Sequence, residues 1–362
     1  MKRQKLAVRL LPDCYSRNSK IYSSPLNALR ISAKLFLLVP LSLALGLTSP
    51  VAVAGDGGIS HDAQPRIIFD TDIGPDYDDV GAVAMLHHFA DEGKIKILAT
   101  VASNKYEGIA GVLDVFNTYF HRPELPIGVP KGDGVTLGDP KHWTDAILAK
   151  YPHQVKHNSD VPDSVAVYRK VLAVQPDHSV TVVTVGFLTN LANLLDSPPD
   201  SVSPLKGREL VSKKVKLLIS MAGAYPSGKE YNVEKDAAAS KKAFETWPTP
   251  VIFSGFEIGS KIKTGLPLVQ NEKIQNSPVK DAFKICMAKS PRDAKGRKSW
   301  DETAVLVAAN GWNGYFSRHP GKVQIAPDGR DTWDDSAKGQ YYLVEKMPPA
   351  EMGSLINQLI MR

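Results

Sequence analysis

The sequence predicts an α/β fold in which a mostly parallel central sheet is flanked by helices on both faces. Short apolar, β-branched segments alternate along the chain with amphipathic segments, which is the pattern of repeated strand–helix units. Sheets built from such units are covered on both faces. No internal repeat and no Ser/Gly-rich linker divides the chain, so a single domain is expected.

The individual elements follow from this alternation. Six segments are predicted to be buried strands: RIIFD (66–70), IKILATVAS (95–103), LPIGVP (125–130), SVTVVTVG (179–186), KVKLLISMAG (214–223) and TPVIFSG (249–255). Helices are predicted between them at 79–91, 108–120, 163–174, 188–196 and 236–246. Segments 131–160 and 256–300 have weak periodicity, so we expect them to pass over the sheet as walls or lids of a pocket.

The positive charge of the chain is concentrated at its amino-terminal end. Residues 1–54 hold eight Lys or Arg side chains and one Asp, a net charge of +7, whereas the whole chain carries +6. The remainder is therefore close to neutral. A sequence pI of about 9.0 thus gives no reason to infer a nucleic-acid surface.

The same amino-terminal segment has the features of an export signal. Arg30 and Lys34 precede the apolar run LFLLVPLSLALGL, and Ala52-Val53-Ala54 supplies a small-x-small cleavage pattern. A membrane-spanning helix needs about 20 apolar residues, and this run is shorter. We therefore predict a signal peptide at 1–54 and a mature domain at 55–362, exported to the periplasm or the extracellular space, with no stable membrane span after cleavage.

A dense acidic loop follows the first predicted strand. Its five aspartates are Asp70, Asp72, Asp76, Asp78 and Asp79. Polar segments also follow three other strands: Ser103-Asn104, GFLTN (186–190) and AGAYPSGKEYN (222–232). Ligands of open α/β sheets bind beyond the carboxyl ends of the strands, so these four segments predict one site.

The acidic loop allows four interpretations. A solvated helix amino terminus explains Asp78 and Asp79 but leaves Asp70 and Asp72 unexplained. An EF-hand calcium loop needs a preceding helix and a Glu at its twelfth position, where Gly81 stands. A phosphatase with Asp70 as nucleophile and Asp72 as acid and base leaves the later pair without a role. A divalent-metal site accounts for the cluster, since a strand end and a helix turn bring Asp72 and Asp79 to one point.

The stretch DTDIGPDYDD resembles the signature of the inosine/uridine-preferring nucleoside hydrolase family, whose commoner form is DxDxGxDDA. Two additional residues precede its Asp pair, a spacing associated with a secreted or divergent branch. The resemblance covers 66–360 and includes four further ordered matches: VASN (101–104), TVGFLTNLANLL (184–195), EYNVEKDAAASKKAF (230–244) and WDETAVLVA (300–308). It implies the nucleoside hydrolase fold and calcium-dependent hydrolysis of the N-glycosidic bond of ribonucleosides, which releases ribose and a free base.

The resemblance also implies roles for particular residues. It assigns calcium binding to Asp72, Asp79, the main-chain carbonyl of Val185 and Asp301, and the general base is implied to be Asp72. The same ion would bind two ribose hydroxyls and a water molecule. The residues implied to contact the ribose are Asp78, Asn104, Glu230 and Asn232. The implied partner is a small nucleoside, and family members are commonly dimers or tetramers.

Three positions depart from the family pattern. Trp300 stands where many members have a His that protonates the leaving base, so it would instead stack on a purine or pack against the helix at 301–309. Ala224 or Tyr225 lies near the place of an expected Asn, and FEIGSKI (256–262) lacks another expected His. How the leaving base is activated is therefore left open.

Two rival functions remain at this point: a non-catalytic ribose-binding or nucleoside-binding protein on the same fold, and a metal-dependent phosphatase. The presence of all three metal carboxylates favours an enzyme. The basic run KSPRDAKGRK (289–298) is interpreted either as a solvated face or as a flap that admits an anionic substrate such as a nucleotide or ADP-ribose. Asp70 is expected to support the loop, and no role is assigned to Asp76.

Overall fold

The computed structural model describes residues 64–361, so the predicted signal peptide lies outside the described residues. Within this part of the chain, no helix is both long enough and apolar enough to cross a membrane. The described residues build one α/β domain around a ten-stranded sheet.

The sheet is parallel over most of its width. Its strand order is β3-β2-β1-β4-β5-β7-β12-β10-β11-β6, and a separate small sheet pairs β8 with β9. The strands are β1 (Arg66–Thr71), β2 (Lys96–Ala102), β3 (Ile127–Gly128), β4 (Val180–Thr184), β5 (Val215–Met221), β6 (Ser227–Lys229), β7 (Val251–Ser254), β8 (Lys263–Thr264), β9 (Arg297–Lys298), β10 (Phe316–Ile325), β11 (Arg330–Asp334) and β12 (Gln340–Glu345). All neighbours from β3 to β12 are parallel, which confirms the predicted mostly parallel sheet.

Helices cover both faces of this sheet. They are α1 (Asp78–Asp91), α2 (Ile109–Tyr119), α3 (Trp143–Lys150), α4 (Ser164–Ala173), α5 (Thr189–Asp196), α6 (Gly207–Lys214), α7 (Tyr231–Lys235), α8 (Ala237–Thr246), α9 (Phe256–Gly259), α10 (Leu266–Gln270), α11 (Pro278–Ala288), α12 (Asp301–Asn310) and α13 (Pro349–Ile360). The five predicted helices correspond to α1, α2, α4, α5 and α8, and each is confirmed to within one residue at either end.

Two apolar cores lie on opposite faces of the sheet. Alternate residues of a strand point to opposite faces, and β1 shows this directly: Ile67 and Phe69 join the core packed by α1, α2 and α12, whereas Ile68 joins the core packed by α4, α5 and α8. All three side chains are fully buried. Because both faces of β1 are buried, its sequence is a nearly continuous apolar run.

Three parts of the fold differ from the sequence-based expectation. Helices α6, α7 and α13 were not predicted. The sheet ends in an antiparallel extension formed by β10, β11, β12 and β6, for which no strand was predicted. The two segments of weak periodicity contain short helices, namely α3 at 143–150 and α9 to α11 between 256 and 288. Both segments contact the acidic loop: the Trp143 indole N–H donates to the carbonyl of Gly74 (3.0 Å), and the Arg297 guanidinium donates to Asp78.

Candidate active site

The four polar segments that follow strands lie at one edge of the sheet. Their strands are β2, β1, β4 and β5, which are consecutive neighbours. Backbone hydrogen bonds join the strand ends: the N–H of Val185 donates to the carbonyl of Asp70, and the N–H of Ser103 donates to that of Thr71 (both 2.8 Å). The acidic loop is therefore bound to the loops on either side of it.

A cavity of about 360 Å³ opens at this edge. Its volume is within the range of small-molecule sites. The lining residues are Asp72, Asp76, Asp78, Val185, Met221, Glu230, Tyr231, Asn232, Phe256, Arg292, Arg297, Trp300 and Asp301. Of the nine site residues named from the sequence, all but Asp79 and Asn104 are among them.

Asp79 and Asn104 lie directly behind the cavity wall. Asp79 occupies the first turn of α1, and its carboxylate accepts a hydrogen bond from the Thr71 hydroxyl. The Asn104 amide donates to the carbonyls of Asp72 (3.3 Å) and Leu137 (2.8 Å) and accepts from two backbone N–H groups. Asn104 thus supports the acidic loop in this structure, although the resemblance implies ribose contact.

The three predicted metal carboxylates share an unfavourable electrostatic environment. Burial raises the pKa of Asp72, Asp79 and Asp301 well above the ordinary value. Neighbouring carboxylates raise each pKa further, with the largest contributions from Asp76 on Asp72, from Asp72 on Asp79, and from Asp78 on Asp301. Within residues 64–361, no Lys, Arg or His forms an ion pair with any of the three.

This donor set fits a hard divalent cation. The carbonyl of Val185 accepts one hydrogen bond from the Asn232 amide (3.0 Å) and keeps a second lone pair. Three carboxylates and a carbonyl form an all-oxygen set, which is the kind that Ca²⁺ and Mg²⁺ prefer. A bound cation would also favour the ionised form of each carboxylate and so relieve the repulsion among them.

The acidic residues with the closest ligand spacing form a different group. Among the described acidic, His and Cys side chains, one group of three places its ligand oxygens within 4.8 Å of one another, and it consists of Asp76, Asp78 and Asp79. Such a triad could hold a metal. It shares only Asp79 with the predicted ligands, and its other two members are already paired with a cation.

That cation is Arg297, a residue that belongs to none of the sequence motifs that predicted the site. Its Nε and Nη2 donate to Oδ1 of Asp78 (3.1 and 2.7 Å), and Nη2 also donates to Oδ2 of Asp76 (2.7 Å). Burial opposes ionisation of Asp76, but the guanidinium lowers its pKa below the ordinary value. Burial raises the pKa of Asp78 to about 6, against the effect of Arg297. The position of Arg297 in the basic run before Trp300 was the available sequence signal. The ion pair with Arg297 gives Asp76 a role.

Glu230 and Asn232 are tied to backbone groups at the opposite wall. The Glu230 carboxylate caps α7 by accepting from the N–H groups of Asn232 (2.9 Å) and Val233 (3.2 Å), and it also accepts from Gly223 (3.2 Å). Burial raises the pKa of Glu230 to about 7 against these bonds. The Asn232 amide donates to Val185, so its own orientation is fixed next to the predicted metal ligand.

Trp300 forms part of the outer wall. Its ring stacks on that of Phe256 (centroids 5.4 Å apart, planes at 30°), and its indole N–H donates to the carbonyl of Phe256 (2.9 Å). A Cβ on Gly259 would lie 2.3 Å from the indole, so that glycine is required for the contact. Trp300 is half-buried and faces the cavity, which leaves a ring edge or face available to a ligand.

No histidine lines this cavity within the described chain. The lining side chains that can donate a hydrogen bond include the hydroxyl of Tyr231 and the guanidinium of Arg292. Burial raises the pKa of Tyr231, so its hydroxyl stays protonated. Tyr225, near the place of the expected Asn, is buried against Tyr342 (centroids 5.0 Å) and does not belong to the lining residues.

Asp70 supports the loop from the end of β1, as expected. Its Oδ2 accepts from the Tyr168 hydroxyl (2.8 Å) and the Asn190 amide (3.0 Å). Burial raises the pKa of Asp70 to about 7, and the two hydrogen bonds oppose this shift. Asp70 thus ties the strand end to α4 and α5.

Helices α1 and α12 pack directly on each other, and each begins next to a predicted metal ligand. Glu302, fully buried in α12, lies against Gly81 of α1. A Cβ at Gly81 would be 2.3 Å from Oε1 of Glu302, so a larger residue would force the buried side chain to move.

A family model described as "Inosine-uridine preferring nucleoside hydrolase" matches residues 67–351. No curated protein matches the sequence. The structure is similar to that of a plant nucleoside hydrolase, PpNRh1, with a TM-score of 0.63, 15% identity, and coverage of 83% of this chain and 99% of that one.

Two further solved structures are similar. One is an inosine-uridine preferring nucleoside hydrolase from Bacillus anthracis, with a TM-score of 0.61, 14% identity, and coverage of 82% of this chain and 99% of that one. The other is the type III effector protein XopQ complexed with adenosine diphosphate ribose, with a TM-score of 0.62, 14% identity, and coverage of 83% and 94%. At such identities these likenesses establish the fold alone.

Proposed function

The chain belongs to the inosine-uridine preferring nucleoside hydrolase family, and from this premise we propose that it hydrolyses the N-glycosidic bond of ribonucleosides in a calcium-dependent reaction. The products would be ribose and a free base. The observation that carries the proposal is the cavity of about 360 Å³ lined by Asp72, Val185 and Asp301, where the two buried carboxylates have no cationic partner among residues 64–361.

The proposed calcium ligands are Asp72, Asp79, Asp301 and the carbonyl of Val185. When bound, a hard divalent cation orients ribose hydroxyls and the attacking water. Asp72 is the proposed general base, because its carboxylate lines the cavity and can accept the proton of that water. Asp78 is the proposed acceptor for a ribose hydroxyl.

The carboxylates also suit the charge that develops during cleavage. Breaking the N-glycosidic bond places positive charge on the ribosyl group, and fixed negative groups nearby stabilise it. Direct attack by water implies inversion at the anomeric carbon. The Tyr231 hydroxyl and the Arg292 guanidinium are the groups on the outer wall that can donate to the departing base, and the ring of Trp300 offers it a stacking surface.

A second candidate is binding or hydrolysis of a larger anionic ribose compound. Arg292 favours it, because this side chain is exposed, lines the cavity and forms no ion pair with the described residues. The similar effector protein XopQ was solved with adenosine diphosphate ribose. A phosphate-bearing substrate would place its negative charge near this guanidinium.

We also propose that the chain is exported after removal of residues 1–54, that its mature form is residues 55–362, and that it acts as a homodimer or homotetramer. The features of the amino-terminal sequence support export. The oligomeric proposal rests on the family resemblance alone.

The test is a panel of inosine, uridine, adenosine and ADP-ribose, assayed for release of ribose or free base with calcium and after removal of metal with a chelator. We expect release from at least one nucleoside, loss with chelator, and recovery when calcium is added back. If no nucleoside is hydrolysed in the presence of calcium while ADP-ribose binds, the result supports the second candidate. Equal turnover with and without chelator contradicts the metal-dependent mechanism.

A further inference from the structure

The acidic loop holds a cation at a second place, beside the proposed metal ligands. The guanidinium of Arg297 is in contact with the carboxylates of Asp76 and Asp78, at 2.7 Å from each. An isolated Asp at either position would add to the repulsion described for Asp72 and Asp301. Arg297 offsets part of the negative charge of these two carboxylates, although both still raise the pKa of Asp72 and Asp301.

Arg297 is built into the wall. Its side chain is 13% exposed, and its guanidinium lies over the rings of Tyr77 (5.1 Å) and Trp300 (5.3 Å). The residue itself belongs to β9, which pairs with β8, and the hydroxyl of Tyr77 donates to Asp293 (2.9 Å). Backbone pairing, two ring contacts and three hydrogen bonds together hold the guanidinium at this point.

The carboxylates beneath Arg297 have a spacing that suits a metal ion. Oxygens of Asp76, Asp78 and Asp79 lie within 4.8 Å of one another, which would allow all of them to coordinate one ion. Two of these three carboxylates are instead bound by the guanidinium. The loop therefore has more carboxylates than a single metal site requires, and the surplus is neutralised from within the chain.

We propose that Arg297 is a built-in cation that occupies a second cation site, formed by Asp76 and Asp78 together with Asp79, and so restricts divalent-metal binding to the site where Asp79 acts with Asp72 and Asp301. This rests on the proposed function only for the location of the first ion. Arg297 also acts as a positioning residue, because it fixes Oδ1 of Asp78 while the backbone N–H of Trp300 donates to Oδ2 (3.2 Å).

The experiment counts bound ions by isothermal titration with calcium chloride, using metal-depleted protein. We expect one ion per chain in the wild type and two in Arg297→Met, which removes the charge but keeps an apolar stem of similar length. The double variant Arg297→Met with Asp76→Asn should return to one. Lys295→Met is the matched control, since Lys295 is exposed in the same segment and does not line the cavity.

A single ion in Arg297→Met, bound as in the wild type, overturns the proposal, and so does a second ion in Lys295→Met. If Arg297→Met does not fold, Arg297→Gln replaces it with the same expected stoichiometry. A wild type that binds no calcium would remove the proposed metal site. In that case a gain of one ion in Arg297→Met would still support the role of Arg297, so the two failures are distinguishable.

Discussion

Two groups of buried carboxylates lie near the cavity, and they are satisfied in different ways. Around the turn at 223–225, three consecutive backbone N–H groups each donate to a different acid: Gly223 to Glu230, Ala224 to Asp331 and Tyr225 to Glu257, at 3.0–3.2 Å. In the acidic loop, two carboxylates are paired with Arg297, and three have no cationic partner among residues 64–361.

The acids at the turn stabilise the fold through backbone hydrogen bonds, whereas the unpaired acids of the loop are placed to bind a ligand. Burial raises the pKa of acids in both groups, and backbone donors oppose the shift at the turn, where the pKa of Glu257 and that of Asp331 reach about 6 and that of Glu230 about 7. In the acidic loop, the pKa of Asp72 and that of Asp79 are raised well above the ordinary value, because neighbouring carboxylates add to the effect of burial. A cluster that lines a cavity and is left repulsive is expected to need a cation.

The largest effect is expected from Asp72→Ala. Loss of the proposed base and metal ligand should lower the rate of nucleoside hydrolysis by at least about 10³-fold. The fold should persist, because the change relieves repulsion in the loop. Circular dichroism and thermal unfolding test the fold, and Asp91→Asn, at the far end of α1 and paired with Arg122, is the control. Wild-type turnover by Asp72→Ala would refute the mechanism.

A smaller effect is expected from Asp301→Ala. Removing one of three anionic ligands should weaken calcium binding by more than about tenfold, because affinity follows the charge of the ligand set. Isothermal titration measures this directly. The surface change Asp335→Ala should leave the affinity unaltered, since that carboxylate pairs with His319 away from the cavity. An unchanged affinity in Asp301→Ala would place the ion elsewhere.

The smallest effect is expected at the turn, from Asp331→Asn. The pKa of Asp331 is raised from 3.8 to about 6 in the folded chain, so the folded state binds its proton more tightly than the unfolded state does. This group therefore lowers the free energy of unfolding as the pH rises from about 4 to about 6. Between pH 4 and pH 7, the free energy of unfolding should fall by about 1–2 kcal/mol less in Asp331→Asn than in the wild type. Urea unfolding at the two pH values measures this.

Asp335→Asn is the control for this last experiment, because Asp335 is a mostly exposed carboxylate in the same region. A decline of the same size in wild type and Asp331→Asn would show that the backbone donor to Asp331 compensates fully for its burial. The pKa values of the acids at the turn and of those in the acidic loop would then differ even more than their surroundings indicate.

The parallel part of the fold was predictable because its signals are local. Strands β1 to β5 and β7 are short apolar runs, and the five predicted helices alternate with them along the chain. The antiparallel extension was not predicted: β10 contains Pro320 and Gly321, which interrupt a strand pattern, and it pairs with segments that carry many polar residues. The short helices α9 and α10 have too few residues for a periodicity to appear.

The grouping of the candidate site residues was predictable where a motif carries them. Asp72, Glu230, Asn232 and Asp301 stand in stretches that resemble a known family, and the structure places all four around one cavity. Arg297 was missed because its ion pairs join residues more than 200 positions apart, which no local pattern reports. The excess of carboxylates in the loop was the physical sign that a cation had to come from elsewhere in the chain.

The contact between Gly81 and Glu302 has a consequence for how accurately the proposed metal site is built. Asp79 and Asp301 open two helices, and the distance between these helices is set where Gly81 faces a fully buried side chain. A methyl group at position 81 would displace the buried Glu302 side chain, two residues from Asp79. The packing of the two helices that carry the proposed metal ligands Asp79 and Asp301 therefore depends on a glycine that contributes no ligand atom of its own.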